Sequence, residues 1–235
     1  MTHDEGLIGY RGAQRDMLAT GKANRVMTLS ELPRSPSLQA LGPCERLDGE
    51  ITVLNGDPYV SRVRGDGYVV EHGFDHGAIF IVWTRQAKWQ DVAVPPSVRT
   101  YAELQFFIRG EAERHGIDAS QAFPFLMCGV PAELRWHINV DRTDGKPITR
   151  ELFQKSKQSY VVEGEAVDIV GFYSERHAGV FISEYAPALD AARGDKNFIH
   201  IHFVSRVGAA TGHIDDLRLD GRMTLRLPAA IAGEA

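Results

Sequence analysis

The second half of the chain constrains the fold more than any other part. From Phe123 to Leu227 it is a succession of short β-prone runs: FPFLMCGV, AELRWHINV, QSYVVEG, AVDIVGFY, GVFISEY, NFIHIHFVS, HIDDLRL and MTLRL. Val, Ile, Phe and Tyr fill these runs, and Gly or Asp-Gly punctuation separates most of them. A series of this kind predicts an antiparallel meander or barrel.

The first half mixes signals. Residues 11–20 carry helix formers ahead of Gly21. MTLSELP predicts a second short helix, capped by Thr28 or Ser30 and closed by Pro33. Residues 35–49 are loop-like. ITVL and PYVSRV flank Asn55-Gly56, a hairpin signal, and Gly65-Asp66-Gly67 leads into YVVEH. The apolar run 78–84 predicts a strand buried on both faces. Pro95-Pro96 is a break, after which residues 100–115 predict one long helix. Thr100 with Glu103 forms a capping box there, and Gly110 weakens its interior. The expected class is therefore α+β and β-rich, with mixed or antiparallel sheets, a barrel-like C-terminal half and a few helices. A length of 235 residues suits one unit, 1–235, with a soft internal division into 1–117 and 118–235.

Composition removes several functional classes. Hydrophobic residues reach 43%, enough for a sizeable core, while the formal net charge is −5 with Lys and Arg scattered. That balance argues against a nucleic-acid partner, which needs a basic patch. Two cysteines, Cys44 and Cys128, without a CxxC spacing read as free thiols, not a disulfide framework. The start, MTHDEGLIGYRG, lacks the pattern of a signal peptide, and no stretch reaches the apolar length of a membrane helix, so a cytoplasmic location and no membrane partner are expected. No GxGxxG, P-loop or GxSxG motif supports nucleotide binding or serine hydrolysis.

The strongest chemical signal is NFIHIHFVSRVGAATGH. His200 and His202 are two apart in a β-prone run, so on a strand their imidazoles share a face. His213 follows after a segment containing Gly208 and Gly212, a spacing that lets the chain turn and return beside the first strand. Three neutral imidazoles with a vacant fourth position describe a catalytic zinc site, although imidazole also takes copper, iron or nickel. The competing reading is that His-x-His arises by chance on a polar strand face.

A second segment, LGPCERLDGEITVLNGDPYV at 41–60, adds to this. Its LG and LDGE, the hairpin that follows, Gly171-Phe172-Tyr173, His200-Ile201-His202-Phe203 and Thr211-Gly212-His213 with Asp215 after it occur in the order expected of one family. Together these segments resemble the acetolactate decarboxylases over roughly residues 11–227. Pro43 and Cys44 depart from the family's usual Thr-Phe. The resemblance implies a divalent metal, zinc in the family, held by His200, His202 and His213, with Glu50 at the metal as a ligand, as a partner that bonds a ligand, or as the proton-transfer group. It implies a carbon–carbon lyase that releases CO2 from a small 2-hydroxy-3-oxo acid, using a metal-polarised carbonyl as electron sink and an enediolate on the path.

Three departures bear on the substrate side. Where the family has an arginine on a strand, this chain offers Arg135 or His137 in AELRWHINV, and the sequence leaves both open. A histidine there lacks the bidentate fork of arginine. The stretch PALDAARGDKNFI, 187–199, is longer than the family's connection ahead of the metal ligands. The tail is short, and Glu234 is its one acid available for the role of the family's last active-site glutamate. Alternatives are a metalloenzyme of another class on the same scaffold (isomerase, hydrolase or oxidase) and a non-catalytic metal-binding module. A homodimer is the oligomer considered.

Overall fold

The computed structural model describes residues 6–184 and 196–229. In chain order its strands are β1 (Gly9–Arg11), β2 (Met27–Thr28), β3 (Leu38–Pro43), β4 (Glu50–Leu54), β5 (Asp57–Arg64), β6 (Gly67–His72), β7 (Gly77–Ala78), β8 (Ile81–Arg85) and β9 (Trp89–Ala93). After the long helix come β10 (Phe123–Gly129), β11 (Glu133–Asn139), β12 (Lys157–Val162), β13 (Val167–Tyr173), β14 (Ile199–Ser205), β15 (Thr211–Arg218) and β16 (Met223–Pro228). The α-helices are α1 (Gln14–Thr20), α2 (Tyr101–Arg114) and α3 (Arg150–Lys155).

The strands form a six-stranded sheet in the order β1-β8-β3-β4-β5-β6 and an eight-stranded sheet in the order β12-β11-β15-β14-β13-β10-β16-β9, with β2 and β7 paired apart. Every ladder in them is antiparallel. The β-rich α+β class expected from the run pattern is the observed one. The eight-stranded ladder ends at β12 and β9. β9 belongs to the eight-stranded sheet and α2 packs on one of its faces.

Several local signals act as their chemistry requires. Thr100 and Glu103 form a reciprocal capping box at the start of α2. Asn55 and Gly56 take left-handed conformations (φ 52 and 85), which gives the two-residue hairpin between β4 and β5 its twist. MTLSELP winds only into a 3-10 turn, Leu29–Glu31, with Thr28 as its cap. The apolar run 78–84 divides between β7 and β8, with Ile79 and Phe80 bent between them.

One predicted strand is absent. GVFISEY forms a tight turn as far as it is described: Gly179 is left-handed (φ 71) and donates to the Ile182 carbonyl. The Val180 and Gly179 carbonyls instead accept the first amides of α1, those of Gln14 and Arg15. These amides have no partner inside the helix, so the turn satisfies them. Val180, Phe181 and Ile182 then bury themselves with Leu41, Phe80 and Phe172.

Alternation decides what each face of the large sheet carries. On one face Leu134, Trp136, Ile138, Ile201, Phe203 and Ile214 pack with Leu104 and Ile108 of α2. Their neighbours in sequence, His137, Asn139, His200, His202 and His213, point the other way. β4 of the small sheet covers that second face, and the candidate site lies between the sheets.

Candidate metal centre

His137, His213 and His202 form a row across three adjacent strands. His137 is directly opposite His213 in the β11–β15 ladder, and His213 is directly opposite His202 in the β15–β14 ladder. His200 lies two residues along β14, on the same face. Its Nε2 is 3.0 Å from Nδ1 of His213. Ring centroids are 5.0 Å apart for His200 and His202, 4.9 Å for His200 and His213, and 5.4 Å for His202 and His213. One nitrogen from each of the three lies within 4.8 Å of the others. The structure thus gathers the three histidines named from the sequence.

The approach of β15 to β11 depends on Gly212. A Cβ there would lie 2.7 Å from the His137 carbonyl oxygen and 2.7 Å from the Trp136 ring. The glycine before His213 lets the two strands come close enough for His137 and His213 to stand 4.8 Å apart. Farther along, Trp136 opposes Ile214 while Arg135 opposes Asp216, which leaves Asp215 as the extra residue of a bulge. Asp215 stays beside His137, and Leu217 returns to the apolar face.

Glu50 enters from β4. The turn before it is left-handed at Arg46, Leu47 and Gly49 (φ 63, 55 and 126), and a Cβ on Gly49 would strike the Ser61 carbonyl at 2.4 Å. Arg62, 13% exposed, fixes this turn by pairing with the Asp48 carboxylate at 2.8 Å and with Glu71 at 3.1 Å, and by donating to the Asp48 carbonyl. Glu50 is 2% exposed. Its oxygens lie 3.7 Å from His137 Nε2 and 3.7 Å from His202 Nε2.

Burial dominates the electrostatics. It drives the His200 ring down to about 3, and it drives His202 and His213 well below the usual 6.5, with neighbouring rings adding to the shift. All three are therefore neutral near pH 7, the state a ligand requires. Burial raises Glu50 to about 8, against the opposing pull of Lys157. His137 is lowered by burial and by Lys157, although its bond to Asp215 works the other way. Burial would raise Asp215. Its bond to His137 and the charges of His137 and Lys157 outweigh that and hold it low.

These residues fit a divalent cation. Three neutral imidazoles converge, the Glu50 carboxyl faces them, and His202 Nε2 is buried without a hydrogen-bond partner. An unpaired buried polar atom is costly unless something occupies the position it faces. The other ring nitrogen, Nδ1, is held 3.2 Å from Thr52 Oγ1. A second trio, His137, His213 and Asp215, also brings one ligand atom from each residue within 4.8 Å of the others. There the 2.8 Å bond between His137 Nδ1 and Asp215 already occupies one ligand atom.

A cavity of ≈ 500 Å³, measured with its mouth, opens on the centre. Glu50, His137, Asn139, Lys157, His200 and His213 form its polar side, and Phe80, Phe153, Phe181, Ile182 and Ile199 its apolar side. Of the two alternatives on β11, His137 lines this cavity. Arg135 does not: its guanidinium is 60% exposed and bonds Glu133 at 2.7 Å. Glu234 and most of the 187–199 stretch lie outside the described residues. Sequence reasoning missed Lys157, which sits opposite Asn139 in the β11–β12 ladder, 3.5 Å from Asp215. Seventeen residues of turn and short helix separate Asn139 from Lys157, so no local pattern announces that pairing. Thr52 was also missed, although its position two after Glu50 on one strand puts both on a single face.

No protein-family model matches the chain, and no curated protein sequence matches it. Solved structures do. The chain is similar to α-acetolactate decarboxylase from Bacillus subtilis strain 168, with 16% identity, 94% of this chain and 84% of that one covered, and a TM-score of 0.72. For acetolactate decarboxylase from Bacillus subtilis subspecies spizizenii the values are 17%, 94%, 85% and 0.73. A Staphylococcus aureus protein of unknown function, described as similar to α-acetolactate decarboxylase, gives 16%, 93%, 84% and 0.70. At these identities the likeness establishes the fold, and the fold is that of the acetolactate decarboxylases.

Proposed function

We propose that this chain is a metal-dependent carbon–carbon lyase that removes CO2 from a small 2-hydroxy-3-oxo acid of the acetolactate type. The observation that carries the reading is the convergence of three neutral imidazoles, two buried and one half-buried, beneath a cavity, on a fold shared with structures named as acetolactate decarboxylases. His200, His202 and His213 would hold the ion, with Zn2+ the expected metal for an all-imidazole set. A divalent cation there supplies Lewis-acid polarisation of the substrate ketone, the electron sink that loss of CO2 requires.

The chain's own groups account for the rest. Lys157, the single Lys or Arg among the described residues on the cavity wall, offers a charge partner for the substrate carboxylate. Phe80, Phe153 and Phe181 exclude water and hold the alkyl substituents. Glu50 is the carboxyl that exchanges a proton with substrate carbon. Asp215 accepts from Nδ1–H of His137, so His137 Nε2 keeps its lone pair towards Glu50 Oε1 and can accept that proton in turn. His137 here stands where Arg135 was the other candidate.

Metal analysis of the purified protein followed by a CO2-release assay on racemic acetolactate tests the reading. Bound Zn2+ with turnover that Glu50→Gln abolishes is the expected result. Bound metal without turnover on acetolactate or its 2-alkyl homologues would overturn the lyase assignment in favour of another metalloenzyme class.

A further inference from the structure

Gln14, the first residue of α1, is held in one orientation. Its main-chain N–H donates to the Val180 carbonyl at 3.0 Å, and its side-chain Oε1 accepts from the Glu184 main-chain N–H at 3.3 Å. A side-chain amide nitrogen only donates, so the rotated form would set Nε2 against the Glu184 N–H, donor against donor. Oε1 is therefore fixed on Glu184, which leaves both Nε2 protons for another partner. Gln14 is 4% exposed and lines the cavity, and among the described residues its Nε2 has no hydrogen-bond partner.

This donor enters from the apolar side. Ala13 and Met17, before and after it in the chain, pack in one cluster with Phe80, Phe181 and Ile182 of the cavity wall. Asn197, another amide on the cavity, is spent by contrast. Its Oδ1 accepts from the Ile199 N–H at 3.0 Å, and its side chain bonds Tyr101. A buried donor without an acceptor is costly, so a ligand matched to this cavity brings an acceptor to Gln14. With its hydroxyl and ketone given to the metal side of the cavity and its carboxylate to Lys157, acetolactate has only methyl groups left. A methyl group leaves Nε2 unpaired.

We propose that Gln14 is a specificity-determining residue, and that the substrate is a 2-hydroxy-3-oxo acid whose 2-substituent carries an uncharged oxygen acceptor, an ether or a carbonyl. The acceptor is uncharged because Lys157, the cation among the described residues of the wall, lies on the polar side. A site built to hydrogen-bond one group of its ligand discriminates strongly against an analogue that lacks the group, since the analogue strands the site's own polar atom. The inference deepens the lyase reading and rests on it for the reaction, while the binding preference belongs to the cavity itself.

Calorimetric binding to the full chain in the presence of Zn2+ tests it without turnover. Two 2-hydroxy acids of nearly equal shape serve as probes. In 2-hydroxy-3-methoxy-2-methylpropanoate the substituent contains an ether oxygen, and in 2-hydroxy-2-methylpentanoate a methylene takes its place. Neither has a 3-oxo group, so neither loses CO2. Wild type should bind the ether about 10-fold more tightly. Gln14→Glu keeps an oxygen for the Glu184 N–H but removes the donor, and Gln14→Met removes both amide groups without adding a charge. In each variant the preference for the ether should vanish. Equal affinities in wild type, a preference that persists in either folded variant, or binding of neither probe would overturn the proposal. Protein that shows the Gln14-dependent preference but releases no CO2 from acetolactate or its homologues sinks the lyase reading alone.

Discussion

Acidifying the metal-free protein should destabilise it steeply, and the size of the effect follows from the burial of the three imidazoles. The folded state keeps His200, His202 and His213 neutral well below the usual 6.5. The unfolded chain protonates the same rings as pH falls through 6.5. Below that value the unfolded state therefore binds more protons, and stability falls with pH. One unit below 6.5, each ring withholds about 1.4 kcal/mol, or about 4 kcal/mol for the three. That is a large share of the roughly 5–15 kcal/mol that stabilises a typical domain. Glu50 has the opposite sign. Its folded carboxyl is raised to about 8, so the folded state takes up a proton that the unfolded state takes only near 4.5. Stability should thus rise by about 2 kcal/mol as pH drops from about 8 to about 6.5, then fall. Urea midpoints of chelator-treated protein across this range, read by Trp fluorescence, should trace a maximum near pH 6.5. An acid limb shallower than about 1.4 kcal/mol per pH unit, the slope of a single group, would refute the burial of three neutral rings together.

Gly212→Ala should cost about 1–3 kcal/mol in a urea melt, because its Cβ meets backbone and the Trp136 ring, and it should weaken Zn2+ binding by parting β15 from β11; wild-type affinity would break the link between strand approach and the centre. Arg135→Ala removes only an exposed pair with Glu133, so stability should change by less than about 1 kcal/mol and CO2 release by less than about twofold. His137→Ala, by contrast, should lower kcat in the same assay by about 100-fold or more, with Zn2+ affinity less affected, since its ring touches Glu50 and not the ligand nitrogens.

Much of the centre was legible before any coordinates. His200 and His202 declare themselves because strand alternation is a local rule, and His213 because a glycine-bearing turn returns the chain to the adjacent strand. Glu50 was reached only through the resemblance that LDGE carries, and the structure adds that only glycine fits the left-handed turn before it, pressed against Ser61. The capping box on α2 and the Asn55-Gly56 hairpin are equally local. Other features were decided elsewhere. GVFISEY has the composition of a strand, yet it turns, because the helix start at Gln14 needed its carbonyls and the apolar core between the sheets took its side chains. The choice between Arg135 and His137 could not be made on β11 alone. Both occupy one face, and only the cover supplied by β4 buries His137 with Glu50 while Arg135 remains in solvent.

What the sequence determined by itself, then, is periodicity and turn chemistry, interactions among residues a few positions apart: the β-rich class, the shared face of His200 and His202, the glycines that allow their turns. What the tertiary structure decided is which distant segments meet on that face. Glu50 and Thr52 reach the histidines across some 150 residues of chain, and Lys157 reaches Asp215 across 58. Such contacts are set by how two sheets pack, and packing is a property of summed burial, not of any local pattern.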